Sequence, residues 1–101
     1  MPAAYVLAQV ELFDPEAFAP YKKDAPASVA RYGGEMLVRN GRYQRLEGNE
    51  PKPRIVVLKF PSYERALEWY NSEEYGRLKD IRHTAARGDL VLVEGVDGPV
   101  V

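Results

Sequence analysis

The apolar residues of this chain pass twice from strand period to helix period and back, and the order of those changes confines the fold more than any other feature. Ala4 to Leu12 is a β-branched and apolar run, the signature of a strand. Asp14-Pro15-Glu16 then opens a helix: Asp14 suits the N-cap, Pro15 the first turn, and Glu16 the positive end of the helix dipole. Phe18, Tyr21, Ala25, Val29 and Tyr32 follow at spacings of three and four, which is one helical face. Pro26 has no N–H to give to the carbonyl of Lys22, so a kink or restart is expected between Lys23 and Ala27. Gly33-Gly34 ends the segment. Glu35 to Arg39 reads as a second strand, and Asn40-Gly41 signals a tight hairpin turn into Arg42 to Leu46. Glu47 to Pro53 is polar and rich in breakers, a loop, and Arg54 to Phe60 is a third strand. Pro61-Ser62 opens a helix to about Asn71, and Ser72-Glu73-Glu74 starts another to about Arg87. Asp89 to Val96 is the last strand, and Gly98-Pro99 leads into a tail.

Strand, helix, strand, strand, helix, strand, with the second helical unit split in two, is an α+β arrangement. It is the ferredoxin-like βαββαβ order, an antiparallel sheet with helices on one face, in a single domain over residues 1–101. Val6, Ala8, Val10, Met36, Val38, Val56, Leu58, Phe60, Val91 and Val93 make one almost wholly apolar parity set, which should lie beneath the helices. The opposite set mixes charges with Leu7, Leu37, Ile55, Val57, Leu90 and Leu92. A solvated sheet face should be mostly polar, and an apolar patch of that size is unusual on a monomer. A second sheet packed against it is the economical solution, so a homodimer through the sheet face is expected.

Composition narrows the partners. Fourteen Lys and Arg against fifteen Asp and Glu give a net charge of −1, with no basic surplus to hold a phosphate backbone, so nucleic acid is not expected. With no Cys and one His, disulfide scaffolds, thiol catalysis and thiolate zinc sites are excluded, and no metal is expected. The N-terminal run has no basic n-region and carries Gln9 and Glu11, unlike a signal peptide. No stretch approaches the length of a membrane span. The expectation is a soluble cytoplasmic protein.

The richest stretch for chemistry is ALEWYNSEEYGRLKDIRHTAARGDL, residues 66–90. Tyr63, Ala66, Leu67 and Tyr70 fall together as the buried face of its first helix, with Trp69 on the flank. Tyr75, Leu78, Arg82, Ala85 and Ala86 fall together on the second. Arg82 therefore stands in the middle of an apolar stripe, where an unpaired guanidinium is too costly to bury. It needs either an internal carboxylate, such as Glu11, Glu94 or Asp89, or the carboxylate or enolate of a bound molecule. Tyr21, Tyr70 and Tyr75 are core positions whose hydroxyls also need partners when buried. Histidine is the usual acid–base side chain near neutrality, so His83 joins the candidates, although beside an apolar stripe it is more ordinarily a surface or capping residue. Gly33-Gly34 precedes a strand and not a helix, so it is a turn and no phosphate cradle.

The combination DPEAFAPY, GGEMLVRNG, KFPSYERALEWYNSEEYGRLKDIR and GDLVLVEG resembles the bacterial domain-of-unknown-function family 1330, from Tyr5 to Val96. The resemblance implies the dimeric α/β-barrel superfamily, in which two ferredoxin-like subunits pack sheet against sheet. Relatives there include quinone-forming monooxygenases, muconolactone isomerase-like proteins and haem-degrading enzymes, with ligands between helices and sheet. Its pattern matches Asp14, Pro15, Tyr21, Pro26, Gly33, Gly34, Arg39, Trp69, Tyr70, Ser72, Tyr75 and Arg82. Phe18 stands where a Tyr is common, Asn40-Gly41 replaces Gly-Gly, and His83 lies outside the pattern. Without a family His on a helix to serve as axial ligand, haem is not expected, nor any other cofactor.

Two functional readings follow. In the first, the protein binds a small anionic or carbonyl metabolite between helices and sheet, with chemistry limited to cofactor-free isomerase or monooxygenase steps. The candidate ligand-binding residues are Tyr21, Trp69, Tyr70, Ser72, Tyr75, Arg82 and His83. In the second, it is a non-catalytic dimeric module whose core is filled by its own side chains. An open cleft lined by Tyr hydroxyls and Arg82 separates the first from the second.

Overall fold

The structure, a computed structural model, describes residues 2–97; the Gly98-Pro99 tail lies outside them. The elements are β1 (Ala4–Leu12), α1 (Pro15–Arg31), β2 (Glu35–Arg39), β3 (Arg54–Phe60), α2 (Tyr63–Tyr70), α3 (Glu73–Ala85) and β4 (Ala86–Glu94). The strands form one antiparallel sheet in the order β2-β3-β1-β4. This is the expected α+β, ferredoxin-like order with the second helical unit split. Each helix starts at a side-chain cap. Asp14 accepts from the amide of Ala17, Ser62 from that of Arg65, and Ser72 from that of Tyr75, so each satisfies an otherwise orphaned donor of the first turn.

α1 runs without a break through Pro20 and Pro26, so the expected restart at Pro26 does not occur. The freed carbonyls belong to Glu16 and Lys22, both exposed residues, where water can replace the missing amide. The helix ends at Gly33, which takes φ +77. Its amide and that of Gly34 donate to Ala30 and Val29 at 3.0 Å, closing the last turn.

Three further expectations are corrected. Arg42 to Leu46 is no strand: Asn40 does adopt a turn conformation, φ 55, but the chain then leaves the sheet, and β2 pairs with β3. The segment has only Tyr43 and Leu46 to offer a core, and Leu46 remains 86% exposed. The parity of β4 is inverted, since Leu90 pairs with Ala8 and Leu92 with Val6. Leu90 and Leu92 therefore share the helix-covered side with Val6 and Ala8, while Val91 and Val93 point away. In β2 the register shifts between Met36 and Val38, so Val38 stands opposite Val57 and Arg39 opposite Val56. This bulge moves Val38 to the open face and Arg39 to the helix face.

The core lies between the helices and the sheet, with Phe60, Trp69 and Tyr75 as its largest fully buried side chains. Trp69, expected on a flank, is at the centre, whereas Tyr63 and Leu67 are exposed. The indole N–H donates to Ser28 Oγ at 3.1 Å, and that hydroxyl donates to the carbonyl of Ala25 at 2.7 Å. A buried Trp needs such a partner, and α1 supplies it. Beside it, Gly34 allows the chain to pass under Val29 and Phe60. A Cβ there would stand 2.6 Å from Val29 and 2.8 Å from Phe60. Gly34→Ala is expected to destabilise the fold by about 1–3 kcal/mol, the cost of overpacking, measured by denaturant melts; a change below about 0.5 kcal/mol would contradict this packing.

Candidate functional site

The site grows from the meeting of α1, α3 and the sheet. The face of α1 carries Phe18, Tyr21, Ala25 and Val29 inward, and α3 carries Tyr75, Leu78 and Arg82. Between them lies a cleft of about 80 Å³ that reaches across the sheet to Arg39 on β2 and Arg54 on β3. Its floor is Val6, Ala8 and Val10 of β1. Outside it, Arg31 near the end of α1 forms a two-pronged ion pair with Glu74 of α3, with Nε 2.9 Å from Oε1, and ties the two helices together.

At the inner end the hydroxyls of Tyr21 and Tyr75 are 2.7 Å apart. One donates to the other, so the pair keeps one hydroxyl hydrogen to give elsewhere. The Tyr75 ring packs against Trp69 with centroids 4.1 Å apart, and this fixes its direction. Burial holds the Tyr21 hydroxyl well above the ordinary tyrosine range, and the neighbouring Tyr75 hydroxyl adds to the rise. The Arg82 guanidinium, beside the same hydroxyl, works against it. Tyr21 is accordingly a protonated hydrogen-bond donor and not a base.

Arg82 is 4% exposed, and its Nε has no hydrogen-bond partner among the described residues. The carboxylates expected to serve it are occupied or distant. Glu11 receives Arg87 at 2.8 Å, Asp89 receives Lys52, and Glu94 lies at the far end of β4, opposite Ala4. Among the described residues, no carboxylate pairs with Arg82, and no carboxylate or imidazole lines the cleft.

Of the candidates read from sequence, Tyr21, Trp69, Tyr75 and Arg82 come together in this cleft. Tyr70 lines a separate apolar groove between α2 and β4, with the Lys79 ammonium 3.9 Å above its ring. Ser72 is spent on structure: it caps α3 and donates to the carbonyl of Trp69 at 2.7 Å. His83 is exposed in the last turn of α3 and outside the cleft. Sequence reasoning missed Lys22, Arg39, Asn40 and Arg54 as cleft residues. The bulge in β2 hides Arg39 from a strict period of two. Arg54 stands first in its strand, opposite Val10, and its guanidinium lies 5.4 Å from the Phe18 ring. No group of three potential metal ligands occurs among the described residues, and no helix there is long and apolar enough to cross a membrane.

This architecture is shared with several solved structures. A protein of unknown function from Rhodopseudomonas palustris superposes with a TM-score of 0.73 at 18% identity, covering 96% of this chain and 85% of its own. A cofactor-independent oxygenase, SnoaB of Streptomyces nogalater, gives 0.61 at 10% identity, covering 97% of both chains. A dimeric protein of unknown function with a ferredoxin-like fold, from Bacteroides fragilis, gives 0.55 at 10% identity, over 92% of this chain and 96% of that one. At these identities the likeness is one of fold. No curated protein matches the chain. The sequence pattern of the family described as "Domain of unknown function (DUF1330)" matches residues 3–96, nearly the whole chain. The protein belongs to that family, on a ferredoxin-like fold.

Proposed function

We propose that this protein is a homodimer that binds a small anionic or carbonyl-bearing metabolite in the cleft between α1 and the sheet. One observation carries the reading: among the described residues the buried Arg82 Nε has no partner, and Arg82 lines a cleft that holds no carboxylate. Such a cation is satisfied by an anion from outside, and the resulting charge-assisted hydrogen bond is of the stronger kind. Tyr21 and Tyr75 supply a further donor beside it. A self-filled module would need Arg82 paired internally, and its candidate partners are engaged elsewhere or distant.

The same lining limits the chemistry. With no carboxylate or imidazole among the described residues that line the cleft, a proton-transfer or oxygenation step depends on a substrate that ionises once its oxygen faces Arg82, whose charge stabilises an enolate or carboxylate. Tyr21 stays protonated and steadies that oxygen. A cofactor-independent oxygenase, the Streptomyces nogalater protein, has this fold, which is compatible with such a step.

The open face of the sheet supports the dimer. Leu7, Leu37, Val91 and Val93 are each more than two-fifths exposed on one surface with Ile55 and Val57, a composition that favours cover by a second copy. The Bacteroides fragilis protein with the same fold is described as dimeric.

Three measurements test this account. Arg82→Met keeps much of the stem packing and removes the charge. Denaturant melts are expected to change little or improve, because no protein carboxylate is left alone. Affinity for small carboxylates, followed by the fluorescence of Trp69, should fall by about 1.5–3 kcal/mol. A loss of about 3–5 kcal/mol of stability would instead mark Arg82 as half of a buried ion pair. Val57→Asp places a charge in the apolar face and should turn a dimer into monomers or aggregates in light scattering; a monomeric parent protein would refute the interface. Finally, Tyr21 binds its proton more tightly folded than unfolded, so its contribution to stability is complete below about pH 10 and declines above it. The decline should reach at most about 1.4 kcal/mol per pH unit, and Tyr21→Phe should remove that part of the slope. Equal slopes in the two proteins would contradict the burial of this hydroxyl.

A further inference from the structure

Fourteen lysines and arginines are distributed over the chain, and six of them pair with a carboxylate among the described residues. Four that do not, Lys22, Arg39, Arg54 and Arg82, line the same cleft. They stand in two tiers. Arg82 is buried at the inner end, whereas Lys22 and Arg39 are exposed and Arg54 half-buried at the rim, beside the Asn40 amide. Much of the remaining lining is apolar and includes Val10, Phe18 and Val56. Of the exposed cations, Arg39 also stands across the sheet from Arg82. α3, which carries Arg82, packs on α1 and β4, while Arg39 and Asn40 lie at the end of β2 on the opposite edge. From β1, which floors the cleft, to β2 is two strand spacings, about 10 Å.

A buried cation and a set of more exposed ones lining one largely apolar cleft match an anion with two heads. Resting on the reading of Arg82 as an anion-binding group, we propose that the ligand is a small dicarboxylate with an apolar spacer. One carboxylate meets Arg82 and the Tyr21–Tyr75 hydroxyls, and the other meets Arg39 and Arg54 at the rim, with Lys22 adding to the field. The spacer lies against Phe18 and Val56. The inner carboxylate is bound in a water-poor site and supplies most of the affinity. The outer one is bound at exposed cations, whose contribution is smaller and screened by salt.

Isothermal calorimetry with adipate and hexanoate tests this, because the two share a chain length and differ by one carboxylate. At low salt adipate is expected to bind about three- to tenfold more tightly than hexanoate. In about 1 M salt, where the screening length is about 3 Å, that ratio should shrink towards one. The double substitution Arg39→Gln and Arg54→Met should also bring the ratio close to one at low salt. A ratio near one in the parent protein, with hexanoate binding still lost in Arg82→Met, would overturn the two-headed ligand and leave the anion reading intact. A ratio that survives the double substitution would overturn the rim assignment and with it the proposal. Failure of both acids to bind would overturn this proposal and the anion reading together.

Discussion

Burying a guanidinium without a carboxylate opposes folding by several kcal/mol, and the layers of this protein are arranged around one that is so placed. Arg82 lies on the apolar stripe of α3 between Leu78 and Ala85, all of them buried. Its stem packs as part of the core, while its Nε has no partner among the described residues. α1, the sheet and α3 enclose the guanidinium without filling the space beside it. That space is the cleft, and the charge gives it a chemical preference. The function proposed for the protein rests on this one placement.

The surrounding aromatic residues keep the cleft in shape. The Tyr21 hydroxyl meets that of Tyr75, the Tyr75 ring packs on Trp69, and the indole of Trp69 donates back to Ser28 on α1. The path leaves α1, crosses α3 and α2, and returns to α1 two turns further on. It satisfies the polar atoms of three large side chains at the cost of one small one, Ser28. The continuity of α1 matters here, because Tyr21 and Ser28 lie on either side of Pro26 and a break between them would separate the two ends of the path.

Much of the fold was legible as periodicity, since alternation and spacings of three and four are direct consequences of strand and helix geometry. The inward stripe of α3, including Arg82, and the caps at Asp14 and Ser72 follow from the same local rules. Errors arose where local pattern carries no contrast. The run Leu90-Val91-Leu92-Val93 is apolar on both faces, so its parity is decided only by pairing with β1. The bulge in β2 adds one residue and reverses the faces after Met36, which concealed Arg39 as a cleft residue. Trp69 reads as a flank residue because Tyr63 and Leu67 look equally apolar; its hydrogen bond to Ser28 is a tertiary contact that no spacing announces. At Pro26, the rule that a proline interrupts a helix gave way to the solvent exposure of Lys22.

The central claim, that Arg82 is a buried cation served by an anion from outside the protein, can be read at the atom concerned. In a proton–nitrogen correlation spectrum of the arginine side chains, the Arg82 Nε–H signal should be assignable by its loss in Arg82→Met. Titration with small carboxylates should shift that signal strongly and saturably, while the signals of ion-paired arginines such as Arg31 and Arg87 stay in place. An Arg82 Nε–H signal indifferent to added anions, and already shifted as in a strong hydrogen bond to a protein carboxylate, would contradict the account.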